Sequence, residues 1–244
     1  MHTPKFIPGK DNKVLLIFIH GFLGGPDQFT DLLDLTSEKG FAAASLLLPG
    51  HGSSGRDFFK ATLSDWQQQL QTELKKYHYY ERIFLVGHSI GGLLALVAAA
   101  KQSSPVSGVV LLAAPLKVYL FNPLALFRKL YIVLHPDLRR AYQKANSAQG
   151  LFPWLFLSIR AFWQPHKLMR QARGILGNVK VPLLLIYSKK DETTHFQSVR
   201  MLAKGLINSQ QDIIILSDSR HAFFTLKERQ LIGKKIIDFI NLNS

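Results

Sequence analysis

The chain has 244 residues, 47% of them hydrophobic, 19% charged and none of them cysteine. Such a composition suits one packed domain and excludes a disulfide framework, a thiolate nucleophile and a Cys-ligated metal. The formal net charge of +14 admits nucleic acid, an anionic membrane surface or an anionic substrate as partner, and its placement decides among them.

Met1-His2-Thr3-Pro4-Lys5 lacks the apolar core of a signal peptide, and no apolar run reaches the ~20 residues needed to span a bilayer. A cytoplasmic protein is expected. Val14 to Ile19 is a continuous apolar run, the pattern of a strand buried on both faces of a parallel sheet. It ends in His20-Gly21-Phe22-Leu23-Gly24-Gly25, after which Pro26 and Asp27 open a helix with Phe29, Leu32, Leu33 and Thr36 on one face and Gly40 at its close. Ala42 to Leu48 is the next strand, followed by Pro49-Gly50-His51-Gly52-Ser53-Ser54-Gly55. Ser64 and Gln67 fit a capping box for a helix carrying Trp66, Leu70, Leu74 and Tyr77. The strand Ile83 to Val86 then runs into Gly87-His88-Ser89-Ile90-Gly91-Gly92, and a helix rich in alanine follows. Gly108 to Leu112 forms a further strand. From Pro182 the alternation resumes with a strand at Leu183 to Tyr187, a loop holding Asp191, a helix near Ser198 to Leu206, a strand at Asp212 to Leu216 and a loop holding His221. Thr225 and Glu228 fit a second capping box at the start of the last helix. Strands alternating with helices predict an α/β fold: a doubly wound, mostly parallel sheet with its active groups beyond the carboxyl ends of the strands.

Residues 116–181 break this rhythm and are expected to form a helical cap inserted over Ser89, with 1–115 and 182–244 as the core. Phe121, Trp154 and Trp163 are among the cap aromatics placed to meet substrate. Between Lys117 and Asn178 stand ten Lys and Arg against one acid, Asp137, a surplus of nine of the net +14. Such a segment either attracts an anionic membrane surface or charged substrate, or is a solvated basic face. No nucleic-acid-binding motif accompanies the charge.

A serine hydroxyl is a weak nucleophile at neutral pH and needs a base within hydrogen-bond reach, itself oriented by a third group. In Gly87-His88-Ser89-Ile90-Gly91 the small flanking residues leave room for a tight strand-to-helix turn that holds Ser89 at a helix N-terminus. Asp191 and His221 each follow a predicted strand, which gives the order Ser, Asp, His. At these residues, and at His20-Gly21-Phe22-Leu23-Gly24 and Gly50-His51-Gly52-Ser53-Ser54-Gly55, the chain resembles the α/β-hydrolase superfamily, in its carboxylesterase and monoacylglycerol-lipase-like branch. The resemblance implies Ser89 as nucleophile, His221 as general base and then acid, and Asp191 as the group that orients the imidazole. It implies an oxyanion held by the backbone N–H groups of Phe22 and Ile90, with Phe22 and Leu23 lining the substrate pocket and His20, His51 and His88 bracing loops. No metal or organic cofactor is implied, and the partner is a small ester with an apolar acyl chain.

The sequence departs from the family pattern at two places. Arg220 precedes the base where glycine is common, and Glu192-Thr193-Thr194-His195 follows the acid where an apolar residue and proline are common. Glu192 and His195 are therefore an alternative acid and base. The same triad also serves thioester hydrolysis, carbon–carbon hydrolysis and an elimination in menaquinone synthesis, for which Arg128 or Arg173 could hold a substrate carboxylate. A peripheral membrane-binding protein, or a binding protein that kept the fold, are the readings outside enzymology.

Overall fold

The computed structural model describes residues 3–11, 13–52, 55–101, 105–119 and 151–244, with the side chains of 55–56 and 151–162 left aside. Among the described residues seven strands form one sheet in the order β1-β3-β2-β4-β5-β6-β7. They are β1 (Lys5–Ile7), β2 (Val14–Ile19), β3 (Ala42–Leu46), β4 (Arg82–His88), β5 (Val106–Leu112), β6 (Leu183–Ser188) and β7 (Gln211–Leu216). β1 runs antiparallel to β3 and every other pairing is parallel. The doubly wound, mostly parallel sheet expected from the sequence is thus the one observed.

Successive side chains of a strand point to opposite faces, so a run that is apolar at every position covers both. Leu15, Ile17 and Ile19 of β2 join Ile83 and Leu85 of β4 and Val109 and Leu111 of β5 in one core. Leu16 and Phe18 join Phe84, Val86, Val110 and Leu112 in the other. The first core is covered by α3 (Leu63–Lys76), α4 (Ile90–Ala99), α5 (Leu151–Ile175) and α6 (Gln197–Gly205), the second by α1 (Thr30–Glu38) and α7 (Leu226–Asn243). α4 is buried along its whole length, which explains why its sequence has no polar stripe. The segment expected as cap ends in α5. From Leu168 to Leu176, α5 and the short 3₁₀ turn after it (Leu176–Asn178) contribute Leu168, Met169, Ala172 and Leu176 to the first core. Gln164, also buried, accepts a hydrogen bond from the Leu63 backbone at 3.1 Å. Leu116 and Val179 of that segment join the same core, and its residues 120–150 lie outside the described residues.

Two short elements escaped the pattern: β1, three residues at the sheet edge, and α2 (Gly55–Lys60). The start of α1 is a 3₁₀ turn, Pro26–Phe29, and Gly40 closes the helix with φ +86°. The capping box of α3 is corrected. It is formed by Thr62 and Asp65 rather than Ser64 and Gln67. Thr62 holds an extended backbone, its hydroxyl accepts from Asp65 N, and the Asp65 carboxylate accepts from Thr62 N at 2.8 Å. Ser64 is already inside the first turn, and Gln67 donates instead to Gln171 at 2.8 Å on α5. Thr62→Ala removes an N-cap that helps to seat Trp66, and the expected loss is about 1 kcal/mol in denaturant unfolding with an unchanged slope.

Candidate active site

β4 ends at His88, and Ser89 makes the turn into α4 with φ 53° and ψ −120°. A serine at positive φ is strained, and three features hold it there. Its N–H donates to the Leu112 carbonyl at 2.8 Å, which pins the turn to the end of β5. A Cβ on Gly87 would stand 2.3 Å from Gly92 N, and a Cβ on Gly91 would stand 2.1 Å from the carbonyl oxygen of Ile19. Only glycine lets α4 begin this close to β2. Ser89 therefore caps the N-terminus of a buried helix, where aligned backbone N–H groups favour negative charge.

Asp191 follows β6 and is 7% exposed. Its Oδ1 accepts from the N–H groups of Thr193 and Thr194 at 2.8 and 2.7 Å, which orients the carboxylate and aims Oδ2 at His221 Nδ1, 2.8 Å away. His221 Nε2 lies 3.0 Å from Ser89 Oγ. These two contacts join residues 132 and 30 positions apart in the chain into one hydrogen-bonded line. With Nδ1 facing a carboxylate, the proton sits on Nδ1 and the Nε2 lone pair faces the serine. Among the described residues no cluster of His, Asp or Glu could hold a metal ion.

The alternative acid and base fall elsewhere. Glu192 Oε2 accepts from the backbone N–H of His221 at 3.1 Å and so supports the loop rather than the ring. The His195 ring packs at 4.5 Å on Tyr119 and accepts from Gln197 N. The two departures from the family pattern are also accommodated. Arg220 keeps an ordinary negative φ with its side chain exposed, so glycine is not needed before His221. Thr193 and Thr194 supply the N–H groups that hold Asp191.

The chain from 10 to 229 matches the model of the Hydrolase_4 family, described as serine aminopeptidase, S33. The protein belongs to this α/β-hydrolase family. Among the relatives of this hydrolase is the thermostable monoacylglycerol lipase of Bacillus sp. (strain H-257), 22% identical over 94% of the chain and 91% of the relative. The fold is shared with a structure reported for the metagenome-derived lipolytic enzymes LipS and LipT, with a TM-score of 0.76, 21% identity and coverage of 98% and 96%. It is shared also with the Paleococcus ferrophilus monoacylglycerol lipase, with a TM-score of 0.73, 15% identity and 99% coverage of both chains.

In this hydrolase the loops around the serine are held by neutral histidines. His20, fully buried, accepts from Leu48 N at 3.0 Å and donates from Nδ1 to the Gly21 carbonyl at 2.8 Å. His51 Nε2 accepts from Leu23 N at 3.2 Å, which helps fix Leu23 at φ 63° in the loop that carries Phe22. The Phe22 ring packs at 5.1 Å on Phe58 and 6.3 Å on Trp66. Trp66 in turn donates to the Pro49 carbonyl. Leu23 is 38% exposed. Trp163 is 57% exposed with its ring 5.8 Å from that of His166, while Phe121 and the Trp154 side chain lie outside the described residues. Arg173 is turned to the Leu116 carbonyl, and Arg128 lies outside the described residues. No helix among the described residues is long and apolar enough to cross a membrane.

One group went unrecognised in the sequence as part of the site. Glu228 fits a capping box with Thr225, and Thr225 Oγ1 does accept from Glu228 N. The Glu228 carboxylate, however, turns away from Thr225 and accepts from the N–H groups of Ser217, Asp218 and Ser219 and from the Ser219 hydroxyl. It ties α7 to the loop that presents His221. Burial pushes its carboxyl up, but the Ser219 hydroxyl and the three N–H groups outweigh burial and hold it below the ordinary value of 4.5. The only sequence signal was the capping pattern itself, which does not say where the carboxylate goes.

His88, next to the serine, donates from Nε2 to the backbone carbonyl of His221 at 2.7 Å, so the turn that carries Ser89 also holds the loop that carries His221. Burial, with the neighbouring His221 ring, brings its pKa down to about 3 from 6.5. The folded state then binds no proton at His88 above about pH 3, whereas the unfolded chain binds one below 6.5, so stability from this group is lost as pH falls below 6.5. In equilibrium unfolding as pH falls from 6.5 to 5, His88→Gln is expected to show a slope shallower than the parent's by a margin that grows toward about 1.4 kcal/mol per pH unit near pH 5. Identical slopes would show that His88 takes up its proton as readily in the fold as in the unfolded chain.

Proposed function

We propose that Ser89, His221 and Asp191 are a catalytic triad that hydrolyses carboxylic esters with an apolar acyl chain, monoacylglycerols among them. The line from Ser89 Oγ through His221 to Asp191, with contacts of 3.0 and 2.8 Å at the N-terminus of α4, carries this reading. Ser89 Oγ attacks the ester carbonyl carbon while its proton passes to His221 Nε2, and the carbonyl oxygen becomes an oxyanion between the backbone N–H groups of Ile90 and Phe22. Asp191, nearly buried and held by its own loop, stabilises the imidazolium. The C–O bond to the alcohol then breaks, and His221 returns its proton to the leaving alkoxide. Water, deprotonated by His221, attacks the acyl-serine ester and releases the acid, restoring Ser89.

The acyl class is supported by the apolar ring cluster of Phe22, Phe58 and Trp66, which carries the proposed oxyanion loop. A monoacylglycerol lipase among the relatives points the same way. The family's description as serine aminopeptidase raises the amide bond as the other target. An aminopeptidase must receive a substrate ammonium, for which a carboxylate is the natural partner. Here Asp191 is committed to His221 and two backbone N–H groups, Glu192 accepts from the His221 backbone, and the net charge of +14 repels a cation.

In a p-nitrophenyl ester series, octanoate is expected to be cleaved with higher kcat/KM than acetate, and an aminoacyl p-nitroanilide far more slowly than either. Ser89→Ala should lower kcat by about 10⁶-fold and Asp191→Asn by about 10⁴-fold, and a fluorophosphonate probe should label the parent but not Ser89→Ala. Ester turnover that survives in Ser89→Ala, or an anilide preferred to every ester, overturns the assignment.

A further inference from the structure

A cavity of about 320 Å³ lies away from Ser89, on the opposite face of the sheet from α4, between α1 and α7. Phe29, Leu32, Leu35, Leu112, Phe224 and Ile232 form its apolar lining. It is about twice the size of an engineered apolar cavity that stays dry and takes up benzene, and it reaches the lower end of the volumes of ligand pockets, about 300 Å³. It opens to the surface, and an apolar lining of this size is enough to receive a ligand.

The mouth says which kind. Asp31 of α1 and Arg229 of α7 meet across it at 2.8 Å, both well exposed, and Gln28 and Gln230 complete the polar groups. Arg229 is further held by its Nε–H on the Phe224 carbonyl at 3.2 Å. The charges at the mouth are thus already paired with each other. An ionised head group would give up hydration there and find no unpaired counterion, whereas a hydroxyl can both donate to and accept from the two glutamines. Leu226, 71% exposed, extends the apolar surface outward.

We propose that this cavity is a second ligand site, distinct from the triad, that takes the alkyl chain of an uncharged amphiphile bearing hydroxyl groups, such as a glycerol monoether, a glycerol monoester or a fatty alcohol. The site does not depend on Ser89 acting on esters, since none of its lining belongs to the triad. Its inner wall nevertheless touches the supports of the triad. Leu112 carries the carbonyl that receives Ser89 N–H, and the Phe224 ring packs at 6.0 Å on His88, which holds the His221 backbone.

The test is calorimetric titration with 1-O-decylglycerol, an ether that no esterase can cleave, kept below its micellar concentration. Two forms of the full chain are compared: untreated, and blocked at Ser89 with a small fluorophosphonate. One molecule is expected to bind to the blocked form. Leu35→Trp, which fills the cavity from α1, should weaken that binding at least tenfold, as should Leu32→Phe, so that misfolding of one variant, seen by circular dichroism, leaves the other to decide. Decanoate and decyltrimethylammonium, with the same chain and a charged head, should bind at least tenfold more weakly than the ether. Binding that disappears on blocking Ser89 and ignores both substitutions places the chain at the triad and overturns the proposal, as does no binding at all or a charged head bound as tightly as the glycerol ether. Should the fluorophosphonate fail to label Ser89, the ester-hydrolase reading fails by itself, and the comparison of parent with Leu35→Trp still decides the cavity.

Discussion

A Cβ on Gly91 would lie 2.1 Å from the carbonyl oxygen of Ile19, a distance no real pair of these atoms adopts, and on the closeness of that approach the rest of the site depends. Because α4 can begin almost in contact with the end of β2, the chain must turn abruptly after β4, and Ser89 takes the strained backbone with φ 53°. The strain is met by surrounding structure: Ser89 N–H on Leu112, and two apolar cores that hold β2, β4 and β5 in register on either side. Strain of this kind persists only where its surroundings over-determine it. Here it leaves the hydroxyl projecting over the ends of the central strands, with the helix N-terminus behind it.

The remaining groups reach the serine on loops, and each loop is tied at more than one point. Asp191 is gripped by Thr193 and Thr194 of its own turn. The loop carrying His221 is held from three directions: by Glu228 on α7, by His88 on the turn of Ser89 and by Glu192 on the loop of Asp191. His51 does the same for Leu23. Most of these ties are backbone hydrogen bonds to side chains, several of them charge-assisted, and they hold Ser89, Asp191 and His221 in place without asking the loops to bury apolar surface. The neutral state of His88 belongs to this arrangement, since a second positive charge beside the imidazolium of His221 would oppose the proton transfer on which the proposed chemistry rests.

Much of this was legible in the chain, and the failures share one cause. Apolar runs at β2, β4 and β6 were recognisable because a strand buried on both faces has no polar positions to confuse its limits. The three residues of β1 carry too little pattern to be seen, and their place is decided by pairing with Ala43 to Ser45 of β3. The first cap of α3 was misplaced by two residues because Ser64 and Thr62 are equally good capping side chains, and only the extended backbone at Thr62 separates them. Glu228 was recognised as a helix-start residue, yet its carboxylate serves a different loop, since three donors converge on it there and only one was available at Thr225.

By itself the sequence determined the layering of the fold and the order of serine, acid and histidine, because both are written in local spacing: apolar periodicity for the strands and helices, glycines for the turns. Tertiary structure alone decided that Asp191 rather than Glu192 faces the ring, that His221 rather than His195 faces the serine, and that a cavity opens between α1 and α7. Those outcomes are contacts between residues tens to more than a hundred positions apart in the chain. They depend on ångström differences in where neighbouring strands end, and local spacing carries no record of such distances.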